Sequence, residues 1–183
     1  NDYFLTETNK ENLSFILEIS KKLNLNKNLL KKTIRSFRGL KYRQQIIFKN
    51  KKLSIINDSK STSFSSSKGI LKASQNIFWL LGGIPKKGDK FLLPKKYLSN
   101  IKAFIYGKNK KFFINQLKNK VDYKKFNDMS SALRAIISAL KKDKRTNKTL
   151  LFSPSAASFD EFKNFEERGF YFNRLIKKYL HVL

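Results

Sequence analysis

The sequence predicts an α/β fold: a Rossmann-like, mostly parallel sheet with helices on both faces, preceded by a helical hairpin. Three observations carry this. After position 50, short apolar runs alternate four or more times with stretches whose apolar residues recur at helical spacing, the pattern of strands joined by crossover helices. One run, Ile77-Phe78-Trp79-Leu80-Leu81, is apolar throughout, as suits a parallel strand buried on both faces. Another, ending at Ile55-Ile56, passes abruptly into Asn57-Asp58-Ser59-Lys60-Ser61-Thr62-Ser63, the kind of polar loop that opens at the carboxyl edge of such a sheet.

Taken in order, the chain begins with two helices. Leu13, Ile16, Leu17 and Ile19 lie at helical spacing between Thr8 and Leu23. Asn26 is placed to cap a second helix, with Leu29, Leu30, Ile34 and Phe37 as its buried stripe and Gly39 as its end. The pair has no strand to cover and is incomplete on its own. Gln45 to Lys49 and Leu53 to Asn57 read as strands joined by the turn Asn50-Lys51-Lys52. A short helix from Ser65 to Ser74 and a strand from Asn76 to Leu81 follow. Gly82 to Asp89 is a loop by its Gly and Pro content. Leu92 to Leu98 is weakly helical, and Ile101 to Tyr106 is a strand. Asn109 to Lys118 reads as a helix and Asp122 to Phe126 as a short strand. Asp128 or Ser130 caps a helix that gathers Met129, Ala132, Leu133, Ile136, Ile137 and Leu140 on one face. Lys148 to Phe152 is the last strand. Beyond Ser153-Pro154-Ser155 comes a long helical stretch starting near Phe162, with Phe165, Phe172, Leu175, Ile176 and Tyr179 on the same side.

Composition narrows the chemistry. The absence of cysteine removes disulfides and thiolate metal sites, and fits a cytoplasmic chain. The single histidine, His181, argues against a histidine-centred metal or general-base site. No apolar run is long enough to span a membrane. The formal charge of +27 raises the question of nucleic acid. Lysine far outnumbers arginine, however, and is spread through every segment alongside abundant Asn, Ile and Phe. That is the composition of an AT-biased genome, so specific nucleic-acid binding is not expected. A monomer without membrane partners is.

Three loops should open at one sheet edge: Asn57 to Ser63, Gly82 to Asp89, and Ser153 to Phe165. They carry Lys60, Thr62, Lys86, Lys87, Ser155 and Ser158, a donor set suited to carboxylate or phosphate. They hold no nucleophile–base pair, and Asp58 and Asp89 stand apart from any second acid. Neither a dinucleotide glycine fingerprint nor G-x-x-x-x-G-K-[ST] occurs. The loops alone specify an anion site and no reaction.

The order I-N-D-S-K-S-T, then L-L-G-G-I-P-K, then L-F-S-P-S-A-A-S-F-D-E-F-K-N-F-E-E-R-G from Leu151 to Gly169, resembles the C-terminal part of the Mur ligases of bacterial cell-wall synthesis. The last motif resembles the member that adds D-glutamate. The likeness extends upstream through Gly39-Leu40-Lys41-Tyr42-Arg43 and more faintly through Asn9 and Asn12, and so covers nearly the whole chain. It implies that residues 1–42 end a central ATP-binding domain and that 43–183 form the C-terminal Rossmann-like domain. It implies an ADP-forming ligase that joins D-glutamate to UDP-N-acetylmuramoyl-L-alanine through an acyl phosphate, using ATP and Mg2+. The metal ligands and catalytic groups would lie outside this chain, which alone should be inactive. Thr62, Lys86, Ser158 and the backbone N–H of Phe165 match the D-glutamate pocket, with Lys87 a rival for Lys86 and the Phe165 ring assigned to the core. Asn9 and Asn12 match residues that meet adenine, although Thr8 stands where relatives carry histidine. Arg43 and Asp58 match residues that hold the ATP phosphate and ribose. Two other readings are a basic nucleic-acid-binding domain and a folate-type amino-acid ligase. The Leu151 to Gly169 motif speaks against the second. The first lacks a recognition helix or an RNA-binding aromatic motif.

Overall fold

The computed structural model describes residues 2–5 and 7–182. Helices α1 (Glu7–Lys22) and α2 (Lys27–Ser36) precede a six-stranded sheet of β1 (Gln45–Lys49), β2 (Leu53–Asn57), β3 (Ile77–Gly82), β4 (Ile101–Tyr106), β5 (Asp122–Lys125) and β6 (Lys148–Phe152). The spatial order is β1-β2-β6-β3-β4-β5, with β1 antiparallel to β2 and every other pairing parallel. Helices α3 (Phe64–Ala73), α4 (Lys110–Leu117), α5 (Met129–Lys142) and α6 (Phe165–Lys177) complete the fold. The Rossmann-like, mostly parallel architecture expected from the alternation of elements is the one observed.

The period-2 alternation of β3 divides the interior into two layers. Phe78 and Leu80 point to one face, where they meet Leu133 and Ile136 of α5 and Phe172 and Ile176 of α6. Ile77, Trp79 and Leu81 point to the other, against Leu71 of α3 and Phe113 and Leu117 of α4. With β6 and β4 on its two edges and helices packed on both of its faces, the whole run of β3 is buried. The unbroken apolar stripe of α5 is likewise fully buried, and Asp128 rather than Ser130 is its cap, accepting from the Ser131 amide at 2.8 Å. In the β1–β2 hairpin the Asn50 side chain takes the amides of Lys52 and Leu53, each at 2.8 Å, which closes the turn.

Three expectations are corrected. Asn26 does cap α2, but Leu29, Leu30, Ile34 and Phe37 do not form a buried stripe: α2 has no buried residue, and Leu29 is 64% exposed. Helical periodicity reports an apolar face and says nothing about what covers it. Helix α2 also ends at Ser36, three residues before Gly39. Finally, α6 begins at Phe165 and not near Phe162. Ser158 O accepts from the amides of Glu161 and Phe162, closing a separate turn, and Asn164 caps the helix proper by accepting from Glu167 N. The weakly helical stretch after Leu92 is a 3-10 turn, Lys95–Asn100.

This division of the apolar residues sets an unequal response to truncation. Leu133→Ala, in the middle of the α5 core face, should cost about 2–5 kcal/mol. Leu29→Ala on α2 should stay within about 0.5 kcal/mol. Urea unfolding of the two variants measures the contrast.

Candidate anion site at the carboxyl edge of the sheet

Strands β2, β6 and β3 are parallel neighbours, so the loops that follow them leave from one edge. The structure ties these loops together with backbone and hydroxyl contacts. Ile84 and Ala157 exchange both backbone hydrogen bonds, at 2.9 and 2.8 Å, joining the loop after β3 to the loop after β6. The approach of these two loops needs Gly83, and the packing of the end of β3 on β4 needs Gly82. A Cβ at Gly82 would fall 2.4 Å from Tyr106 O, and one at Gly83 would fall 2.4 Å from Ala157 O. Asp89, at the far end of the same loop, accepts from Phe64 N at 2.7 Å and so supports the first turn of α3.

A run of serine hydroxyls lies beneath this edge. Ser67 of α3 meets Ser61 at 2.6 Å, Ser153 at 2.7 Å and Ser155 at 2.6 Å; Ser153 in turn donates to Asp58 Oδ2 at 2.8 Å. The other Asp58 oxygen accepts from Gln44 N at 3.1 Å. That contact anchors the segment entering the sheet, where Tyr42 and Gln44 both hold positive φ, 62° and 48°. Left-handed backbone in residues with a Cβ costs on the order of 1–3 kcal/mol and persists only where neighbours enforce it. Here Gln45 Oε1 takes Tyr42 N, and Lys60 N donates to Tyr42 O.

Of the residues matched to the D-glutamate pocket, Thr62 follows β2, Lys86 follows β3, and Ser158 and Phe165 follow β6. Thr62, Lys86 and Lys87 are exposed, and Ser158 is buried. Phe165 is the first residue of α6, where a backbone N–H has no acceptor within the helix. Its ring is not in the core, contrary to expectation. It is half-buried, and the ammonium of Lys60 sits 3.9 Å from its centroid. That places Lys60 beside the start of α6, a contact that sequence spacing does not show.

The residues matched to nucleotide binding lie where the helical hairpin meets the sheet. Asn9 is buried and donates to Tyr3 O at 2.7 Å and Gln44 Oε1 at 3.0 Å. Lying inside α1, it is no helix cap. Asn12 is exposed on the same helix, and the side chain of Thr8 lies outside the described residues. Arg43 is exposed, and its positive charge is felt at both Asp58 and the Tyr3 hydroxyl. Among the described residues no three His, Cys, Asp or Glu come together as a group that could hold a metal ion. Two grooves lie elsewhere: one of about 600 Å3 along β1, β2 and α3, and one of about 700 Å3 between α1 and α2.

Burial pushes the Asp58 carboxyl from 3.8 up to about 7, against the lowering effect of its hydrogen bonds from Ser153 and Gln44 and of the Arg43 and Arg168 charges. The folded chain thus binds a proton that the unfolded chain releases, over the window from about pH 4 to about pH 7. Stability should be fullest below that window and fall as pH rises through it. Asp58→Asn keeps the shape, carries no charge, and should flatten this part of the profile. Urea unfolding at several pH values decides: equal slopes in both proteins would show that Asp58 does not titrate there.

No family model matches the chain. It is 36% identical to the UDP-N-acetylmuramoylalanine–D-glutamate ligase of Wolbachia sp. subsp. Brugia malayi, over 93% of this chain and 34% of that protein. It is 37% identical to the ligase of the same name from Rickettsia prowazekii, over 93% of this chain and 38% of that protein. Among solved structures, a UDP-N-acetylmuramate-alanine ligase from Thermotoga maritima superposes with a TM-score of 0.66 at 15% identity, covering 97% of this chain and 39% of that one. The chain spans little more than a third of the length of the curated relatives it matches. Along nearly its whole length, then, this chain is a homologue of one portion of the UDP-N-acetylmuramoylalanine–D-glutamate ligases of the Mur family.

Proposed function

We propose that the chain is the amino-acid-binding portion of a ligase that adds D-glutamate to UDP-N-acetylmuramoyl-L-alanine in peptidoglycan precursor synthesis, in the cytoplasm. The observation that carries this is the meeting of three donor-bearing loops after three neighbouring parallel strands. D-Glutamate has two carboxylates to satisfy. Lys86 supplies a point charge, Thr62 and Ser158 supply hydroxyls, and Phe165 supplies a backbone N–H at a helix start, where the dipole also favours an anion. Lys60, held over the Phe165 ring, adds a second cation beside that helix start. Binding both carboxylates fixes the amino group in place for attack, which is the chief contribution this edge can make to an amide-forming step. ATP, when bound to the complete ligase, supplies the phosphoryl group that activates the acceptor carboxylate.

In the same reading, residues 1–42 end the ATP-binding domain and 43–183 form the C-terminal domain. Phe15, Leu23 and Leu29, 67%, 64% and 64% exposed, fit a helical pair whose outer face is covered by the remainder of that domain. Asn9, Asn12, Arg43 and Asp58 would then face the nucleotide from the domain junction. Mg2+ would be held by groups outside this chain, and the ligase acts as a monomer.

The test uses a complete ligase carrying this chain as its C-terminal part. Lys86→Ala should raise the D-glutamate concentration needed for half-maximal rate by about tenfold or more, with the ATP and UDP-sugar requirements little changed. If that loss appears in Lys87→Ala instead, the pocket lysine is its neighbour. If neither variant responds, the loop after β3 is not part of the pocket. The chain by itself should form no amide from ATP, D-glutamate and the UDP-sugar peptide. Product detected by mass spectrometry would contradict the domain assignment.

A further inference from the structure

We infer that Arg168 is the positioning residue of this edge: one buried guanidinium that holds the loops after β2 and β3 and the start of α6 in a fixed relation. The inference rests on the reading of these loops as the D-glutamate pocket for its functional part, and on geometry alone for its structural part. Arg168 lies on α6 and is 1% exposed. Its Nε donates to Ser59 Oγ at 3.1 Å and its Nη2 to Ser59 O at 2.7 Å, a forked grip on the loop after β2. The Ser59 hydroxyl donates a hydrogen bond to Phe165 O at 2.8 Å, so the same grip reaches the first turn of α6. The third nitrogen lies against the loop after β3: a Cβ on Gly83 would stand 3.1 Å from Nη1.

That third nitrogen is buried without an acceptor, and so are the Tyr106 hydroxyl and Asp160 Oδ2. All three lie within electrostatic reach of one another. Asp160 sits in the loop after β6, between the matched pocket residues Ser158 and Phe165. An unpaired donor and an unpaired carboxylate oxygen of opposite charge, each atom itself shielded from solvent, attract each other. Asp160 therefore draws its loop toward the guanidinium, and Arg168 acts on all three loops. A lysine could not replace it. An ammonium is a single point and cannot grip Ser59 twice while lying flat against Gly83.

Amide hydrogen exchange on the 183-residue chain tests this, read at Lys60, whose amide donates to Tyr42 O before β1, and at Ser61, Ile84 and Ala157, whose amides are hydrogen-bonded within these loops. In Arg168→Met and in Arg168→Lys, exchange there should rise about tenfold or more, while β4 and α5 keep their protection. The same variants should bind D-glutamate at least about tenfold more weakly by NMR titration. Asp160→Asn should raise exchange at Ala157 and leave Ser61 unchanged. Unchanged loop protection in both Arg168 variants would overturn the inference, as would a uniform loss across the sheet. Restoration by lysine would reduce Arg168 to a buried charge. Should Arg168→Met fail to fold, Arg168→Lys carries the comparison. If the unmodified chain binds no D-glutamate, the reading of the pocket fails, and the exchange data still decide the role of Arg168.

Discussion

The carboxyl group of Asp58 is the fixed point on which this sheet edge is built. It stands at the end of β2, 5% exposed, with one oxygen on the Ser153 hydroxyl after β6 and the other on the Gln44 amide before β1. A buried carboxyl with no partners would be strongly destabilising. Satisfying it fixes three separate segments at once. Tyr42 and Gln44 are held in a left-handed conformation that isolated residues of this kind avoid, and the end of β6 is held beside the end of β2. From Ser153 the hydroxyl contacts spread to Ser67 of α3 and on to Ser61 and Ser155. The polar interior of the edge is thereby a connected network, in which each group depends on its neighbours.

This arrangement separates the frame from the groups that face solvent. Asp58, Ser59, Ser61, Ser67, Ser153, Ser155 and Arg168 are buried and contact one another or the backbone. Thr62, Lys86 and Lys87 are exposed at the rim, and the Lys60 ammonium lies over the face of Phe165. Exposed cations on long side chains lose much rotamer freedom when they bind a ligand. A stiff frame limits that loss to the side chains by keeping the loop backbones in place. The two core layers support the frame from below, because β3 buries Phe78 and Leu80 on one side and Trp79 and Leu81 on the other. Trp79 also donates its indole N–H to Ser153 O at 2.8 Å, which links the core directly to the network.

Much of the fold was legible in the sequence where local pattern and tertiary demand agree. The unbroken run of β3, the one-sided stripe of α5 and the place of its cap, read as Asp128 or Ser130, are of this kind. The shortfall lies where a residue's partner is distant in sequence. Arg168 stands in an E-E-R-G run and reads as surface charge, yet its acceptor is Ser59, 109 residues away. Asp89 reads as a loop acid and instead accepts from the first amide of α3, 25 residues away. The start of α6 was misplaced because Phe162 has helical spacing, whereas its amide closes a turn onto Ser158 O. The stripe of α2 was visible and its burial was not, since amphipathicity names a face and no partner. At the candidate site the loops and their common edge were legible from topology. The contact of Lys60 with Phe165, and the outward placement of that ring, depend on packing that no local spacing encodes.

The central claim is that three loops after β2, β3 and β6 form one site for D-glutamate. An NMR titration of the 15N-labelled chain with D-glutamate, and with L-glutamate as the control, tests it most directly. The account predicts chemical-shift changes at Thr62, Lys86, Ser158 and Phe165 together, saturating at one common concentration, with a weaker response to the L-isomer and none at the opposite sheet edge around Asn50 and Asn147. Changes confined to one loop, or scattered along the lysine-rich surface without saturation, would contradict it.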